Sequence, residues 1–153
     1  MTALSRRDVL RLSGAGAAAF VASSLLPNLA AADAASTAAA IKKIIGSKTL
    51  QQGRITLELP QIAENGNTVP VGFEVQSPMI GADHVKAVHL FAEGNPEPSV
   101  ASIRFSPASG RAKAATRMRL AKTQNIIAVA EMSDGSVYMA KTEVKVTIGG
   151  CGG

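Results

Sequence analysis

Short runs of alternating apolar and polar residues between Ile55 and Ile148, separated by clusters of proline, glycine and asparagine, predict an all-β fold. About seven such strands with turn signals between them fit two antiparallel sheets stacked as an immunoglobulin-like β-sandwich. The chain holds a single cysteine, so no internal disulfide joins the two sheets.

The elements follow in chain order. Ile41, Ile44 and Ile45 recur at helical spacing while Lys42 and Lys43 face away, which predicts a short helix from Ala39 to about Lys48. Such a helix is too short to stand alone in water and has to dock on the main body. Residues 33–40 are mostly Ala, Ser and Thr and are expected to fray. Ile55-Thr56-Leu57-Glu58-Leu59 alternates and is stopped by Pro60; Glu64-Asn65-Gly66-Asn67 reads as a turn. Further strands are expected at Val69–Gln76, Val85–Glu93, Val100–Phe105, around Arg117–Leu120, at Asn125–Met132 and at Val137–Ile148. Asp134-Gly135 between the last two is a strong hairpin signal. In the last strand Val144, Val146 and Ile148 share one face and Glu143, Lys145 and Thr147 the other.

Ahead of this domain lies a different kind of segment. Ser5-Arg6-Arg7-Asp8-Val9-Leu10 is a twin-arginine pattern, an Ala-rich apolar stretch runs to Leu26, and Ala30-Ala31-Ala32 offers small residues for cleavage. A basic start, an apolar middle and a small-residue end make a secretory signal. The stretch is interrupted by Ser13, Gly14, Gly16, Ser23 and Ser24, which weakens a membrane-anchor reading. The expected organisation is therefore a signal peptide at 1–32, a segment with a short helix at 33–50, a β-sandwich at 51–148 and a flexible arm at 149–153. Export by the twin-arginine route would place the domain in the periplasm.

The chain has 153 residues and a formal net charge of +5, but part of the basic excess belongs to Arg6, Arg7 and Arg11 of the signal. The domain itself has only Phe73, Phe91, Phe105 and Tyr138 as aromatic residues. A nucleic-acid surface would want a dense basic stripe with stacking platforms, and neither is present.

The chemistry concentrates at one place. After Ile148 the sequence reads Gly149-Gly150-Cys151-Gly152-Gly153. Glycines maximise backbone freedom and remove side-chain bulk. An arm of this length extends to at most about 17 Å, so the thiol can enter a narrow cleft on another protein. No charged residue flanks Cys151, so nothing local pulls its pKa far below about 8.5, and no neighbouring base activates it as a catalytic thiol requires. Cys151 therefore reads as a passive attachment point, and the protein as a carrier rather than an enzyme. The alternatives are a periplasmic thiol transferase and a structural sandwich module linked by a disulfide. The other candidates are weaker. His84 and His89 lack the companions a metal site needs. Met79, Met118, Met132 and Met139 are soft ligands scattered as core residues would be. Asp83 and Glu93 read as loop and strand-edge charges, and Arg117 and Arg119 as a solvated strand face able to meet an acidic partner. No Ser/His/Asp arrangement is visible, and neither a metal nor a cofactor is expected.

The terminal Gly149-Gly150-Cys151-Gly152-Gly153 motif resembles that of the SoxY family of sulfur carriers in bacterial thiosulfate oxidation. Leu59-Pro60-Gln61-Ile62-Ala63-Glu64-Asn65-Gly66, Val69-Pro70-Val71, Ser77-Pro78-Met79, Asn95-Pro96-Glu97-Pro98 and Thr116-Arg117-Met118-Arg119-Leu120-Ala121 are similar as well. The resemblance implies an immunoglobulin-like sandwich that forms a heterodimer with a SoxZ-like subunit. It implies that Cys151 is joined to thiosulfate by a SoxXA-like cytochrome. A SoxB-like enzyme would then release sulfate, and a SoxCD-like enzyme would oxidise the remaining sulfane sulfur. One departure is Val9, where the twin-arginine pattern often has Phe.

Overall fold

The computed structural model describes residues 29–150, with side chains from Ala34 onward. Residues 1–28 of the expected signal, and Cys151, Gly152 and Gly153, lie outside the described part. One α-helix, a single 3-10 turn (Pro107–Ser109) and nine strands appear among the described residues: α1 (Leu29–Ile45), β1 (Leu50–Gln52), β2 (Ile55–Glu58), β3 (Ile62–Asn65), β4 (Val69–Val75), β5 (Val85–Ala92), β6 (Ser99–Arg104), β7 (Ala112–Met118), β8 (Gln124–Met132) and β9 (Val137–Ile148). They form an immunoglobulin-like sandwich. One sheet has the order β1-β9-β8-β5-β6, with β3 also on β9; the other has the order β2-β4-β7.

Alternation decides which side chains lie between the sheets. On β4, Val69, Val71, Phe73 and Val75 point inward; on β8, Ile126, Ala128, Ala130 and Met132 do so. Val88, Leu90 and Val144 complete this core, and Phe73 meets Phe105 edge to face at 6.2 Å between ring centroids. Met79, Met118 and Met132 are buried in the same cluster, and Met139 packs under α1, so the scattered methionines serve the core.

The long last strand, β9, organises its sheet. Antiparallel β8 takes one edge, from Gln124↔Val144 to Glu131↔Val137. The other edge is shared by two short parallel strands: β1 pairs with Val137–Met139, and β3 pairs with Lys145, Val146 and Ile148. The β8–β9 hairpin turns at Asp134-Gly135, with Gly135 at φ 87°, as the Asp-Gly pair predicts. The Asp134 carboxylate accepts from the Ser136 N–H (2.8 Å) and hydroxyl (2.6 Å). Those bonds, the hydroxyl's first, hold its pKa below the usual carboxylate value. A depressed folded pKa gives stability that is present above the unfolded value and is lost as pH falls through the folded one. An NMR titration of the Asp134 carboxyl should therefore give a midpoint below the ordinary value, moving back toward it in Ser136→Ala.

α1 extends the expected helix at its start and stops it earlier. It begins at Leu29 rather than Ala39, so the expected boundary after Ala32 falls within it. It ends at Ile45, where Gly46 takes φ 64° and its N–H returns to the Lys42 carbonyl at 2.9 Å. The Ala-rich stretch expected to fray is helical, as strong helix formers allow, and Thr37 within it is buried. The docking face is the one expected. Ile41 and Ile45 bury against Phe91, Ile127, Val129 and Val137 on the outer face of the larger sheet. Ile41→Ala is expected to weaken this docking by about 2 kcal/mol, the low end for truncating a buried aliphatic side chain. Amide exchange should then speed up in α1 while the sandwich amides stay unchanged.

Candidate functional site

Three pieces of backbone converge where β9 ends. The Gly66 N–H donates to the Ile148 carbonyl (2.7 Å), the Leu120 N–H to the Gly66 carbonyl (2.8 Å), and the Gly150 N–H to the Leu120 carbonyl (2.9 Å). Gly66, Leu120 and Gly150 are all buried there. Neither Gly66 nor Gly149 has a left-handed φ, so glycine is required for space. A Cβ on Gly66 would lie 2.3 Å from the Leu120 oxygen and 2.7 Å from the Gly150 nitrogen; one on Gly149 would lie 2.1 Å from the Ala121 oxygen. These are below any tolerable contact. The sequence expectation placed Gly149 and Gly150 in a flexible arm. The structure instead seats them on the body, because glycine's lack of bulk permits close approach as readily as freedom. Ile148, just before the seat, is 67 % exposed, and Ile62 on the adjacent strand is 60 % exposed.

The loop that receives the seat is held from inside. Asn95 and Gln124 are buried polar residues, 4 % and 6 % exposed. Asn95 Nδ2 donates to the Arg119 carbonyl (2.8 Å), and its Oδ1 accepts from the Ala121 N–H (3.1 Å) and Gln124 Nε2 (2.9 Å). Gln124 Oε1 accepts from the Gly94 N–H (2.8 Å), and its Nε2 also reaches the Lys122 carbonyl (3.1 Å). The two side chains thus fix 119–122 by its own backbone groups. The sequence marks Asn95 as part of a strand-bounding cluster that also resembles the family, not as a buried side chain; its burial depends on pairing with residues more than twenty positions away, for which no local signal exists.

The other expected candidates do not gather at this seat. Arg117 and Arg119 are exposed, and Arg117 Nη1 donates to Thr68 Oγ1 at 3.5 Å. Asp83 pairs with Arg54 at 3.5 Å, and Glu93 accepts from Asn125 (2.6 Å) and Lys141 (3.2 Å). His84 and His89 are not brought together at a ligand site. Among the described residues no group of three His, Cys, Asp or Glu side chains could hold a metal ion. No helix there is long and apolar enough to cross a membrane.

His89 does belong to a constellation the sequence hid. Its Nδ1 lies 2.7 Å from Ser102 Oγ and its Nε2 3.0 Å from Glu131 Oε1. The three residues come from neighbouring strands β6, β5 and β8, at sequence separations of 13 and 42. This line cannot serve Cys151 as a base. His89 is level with Val129 and Met139 in the sheet. From Met139 to Ile148 the strand runs about 30 Å at roughly 3.3 Å per residue. Even a fully extended arm of about 17 Å falls short of that.

Comparison with known proteins bears on the whole domain. The family model "Sulfur oxidation protein SoxY" matches residues 41–151. Among solved structures, the chain is similar to the sulfur carrier protein SoxY from Chlorobium limicola f thiosulfatophilum, at 35 % identity and a TM-score of 0.64. That match covers 75 % of this chain and 99 % of the other. The superoxide reductase (neelaredoxin) from Ignicoccus hospitalis is similar at 19 % identity and TM-score 0.55, covering 61 % and 80 % of the two chains. A putative superoxide reductase from Thermotoga maritima aligns at 15 % identity and TM-score 0.53, covering 63 % and 93 %. At such identities these two show a shared fold alone. Curated proteins gave no match. A family match through the whole sandwich and up to Cys151, together with a SoxY structure at 35 % identity, places this chain in the SoxY family.

Proposed function

We propose that the protein carries sulfur intermediates covalently on Cys151 during thiosulfate oxidation and presents them to partner enzymes, without catalysing the chemistry itself. The observation that carries this reading is the family match that runs up to Cys151, alongside a relative whose structure is that of a sulfur carrier protein. The seat at Gly149 and Gly150 supports it, since it anchors the chain one residue short of Cys151 at the end of the sandwich, away from the His89–Ser102–Glu131 line.

In the loading step the Cys151 thiol loses a proton and its sulfur bonds to the sulfane sulfur of thiosulfate. The thiol and thiosulfate together give up two electrons to a cytochrome of SoxXA type. The product is an S-thiosulfonate, anionic at its outer end. Water attack by a SoxB-like hydrolase then breaks the sulfur–sulfonate bond, releasing sulfate and leaving a persulfide on Cys151. A SoxCD-like enzyme would oxidise that sulfane sulfur. A SoxZ-like subunit completes the carrier as a heterodimer. The protein's own contribution is to position the thiol, and no cofactor is needed for that.

The test is the intact mass of the protein recovered from cells grown with thiosulfate, with peptide mapping. A sulfur-containing adduct confined to the Cys151 peptide is the expected result. A bare thiol, or a permanent disulfide dimer, under the same conditions would favour a module that only links subunits. A thiol pKa well below 7 in the isolated protein would favour a transferase. Periplasmic export by the twin-arginine route is part of the proposal, motivated by Ser5-Arg6-Arg7. Replacing Arg6 and Arg7 by Lys should leave the protein in the cytoplasmic fraction; unchanged export would overturn that part.

A further inference from the structure

We propose that Gly66 is a positioning residue for the carrier thiol, closing a backbone latch that sets how far Cys151 reaches from the body. The inference rests on the carrier reading for its purpose and on the seat geometry for its existence. Gly66 joins both sides of the latch. Its N–H holds the Ile148 carbonyl at the end of β9, and its carbonyl holds the Leu120 N–H, whose own carbonyl takes the Gly150 N–H. Among the described residues the last backbone bond therefore falls one residue before Cys151. With the latch closed, Gly150 is fixed on Leu120, so the Cys151 Cα stays one peptide step, about 3.8 Å, from a point held on the body. With the latch open, residues 149–151 extend from Ile148 and carry that Cα out by about 10 Å. The latch thus separates a retracted arm, with Gly150 held on Leu120, from an extended one able to carry the thiol into a cleft.

Space is what Gly66 supplies. Any side chain there would drive a Cβ into the Leu120 oxygen and the Gly150 nitrogen at once. Gly149 makes the matching demand from the arm side, against the Ala121 carbonyl. Gly81 is the control: a Cβ there meets nothing within 4 Å, and its φ is not left-handed.

The experiment compares the full chain with Gly66→Ala, Gly149→Ala and Gly81→Ala. One readout is hydrogen exchange at the Gly150 amide. The other is the rate of Cys151 alkylation by a bulky polyethylene-glycol maleimide relative to iodoacetamide. In the unsubstituted protein the Gly150 amide should exchange at least about 10-fold more slowly than in an unstructured peptide. Gly66→Ala and Gly149→Ala should each abolish that protection and raise the bulky-to-small reagent ratio, while Gly81→Ala changes neither. A loss of stability alone would not move the reagent ratio in a protein that is still folded. An unprotected Gly150 amide in the unsubstituted protein, or full protection in folded Gly66→Ala, would overturn the latch. Should Gly66→Ala fail to fold, Gly149→Ala decides the question, since it lies beyond β9. Absence of a sulfur adduct on Cys151 would sink the carrier reading and leave the exchange result standing, so the two failures are distinguishable.

Discussion

Cys151→Ser is expected to yield a folded protein that acquires no sulfur adduct at all. A serine hydroxyl cannot form the sulfur–sulfur bond on which loading depends, so the loss should be complete rather than graded. Stability should stay within about 0.5 kcal/mol, the usual range for a surface change. The reason lies in the seat: its three bonds are made by backbone groups of Ile148, Gly66, Leu120 and Gly150, and none of them needs the side chain that follows. Intact mass after exposure to tetrathionate checks the first part. A thiolate displaces thiosulfate from tetrathionate and keeps the S-thiosulfonate, with no enzyme required. Thermal unfolding of the two proteins checks the second. A destabilisation above about 1 kcal/mol would mean that the thiol is packed in the fold, contrary to a carrier role.

Asn95→Ala should be a costly side-chain truncation near the site. It leaves the part-buried Arg119 carbonyl and Ala121 N–H without their partner and removes one of the two acceptors of the buried Gln124 Nε2. An orphaned buried polar group costs about 1–3 kcal/mol, and the three share one small region, so their costs overlap. A total near 3 kcal/mol follows, with a fall in melting temperature on the order of 10 °C for a domain of this size. Denaturant unfolding should show a lower midpoint with an unchanged slope. Asn95→Asp is the informative companion. It keeps an oxygen for Ala121 and Gln124 but sets a carboxylate oxygen against the Arg119 carbonyl, where Nδ2 had donated. It should therefore be destabilised as well, and protonating the new carboxyl at low pH should restore part of the loss. If Asn95→Ala cost under about 1 kcal/mol, solvent would be replacing the side chain and the loop would not be held as described.

The strands that sequence reading placed well carry either an alternating buried face, as β4 and β9 do, or a long apolar run, as β5 and β8 do. The strands it missed or misplaced lack both. β1 and β3 span only Leu50–Gln52 and Ile62–Asn65, too short for a period to register, and they exist because β9 offers them an edge. β7 was expected around Arg117–Leu120 and instead covers Ala112–Met118. Its Ala-Lys-Ala-Ala-Thr stretch is poor in β-formers, and pairing with β4 along seven residues overrides that preference. α1 was half seen, because its isoleucines carry a period and its alanines do not. At the site, the Gly-Gly-Cys-Gly-Gly motif prompted a family resemblance that agrees with the comparisons. The seat was not legible, because it is built from main-chain groups of segments far apart in sequence. The same holds for the Asn95–Gln124 pair and for the His89–Ser102–Glu131 line.

The placement of β9 also has a kinetic side. Its edges accept β8, β1 and β3, so Leu50 finds its parallel partner only at Val137. Pairings of such sequence separation carry a loop-closure cost before any contact rewards them, and they slow folding. A nascent chain that has not yet released residues 137–148 leaves β1, β3 and one side of β8 without partners. The sandwich can therefore close only late in synthesis, and the latch at Gly66 can form only after β9 is in place. A Gly150 that is seated on Leu120 therefore reports that the whole sheet behind it has folded.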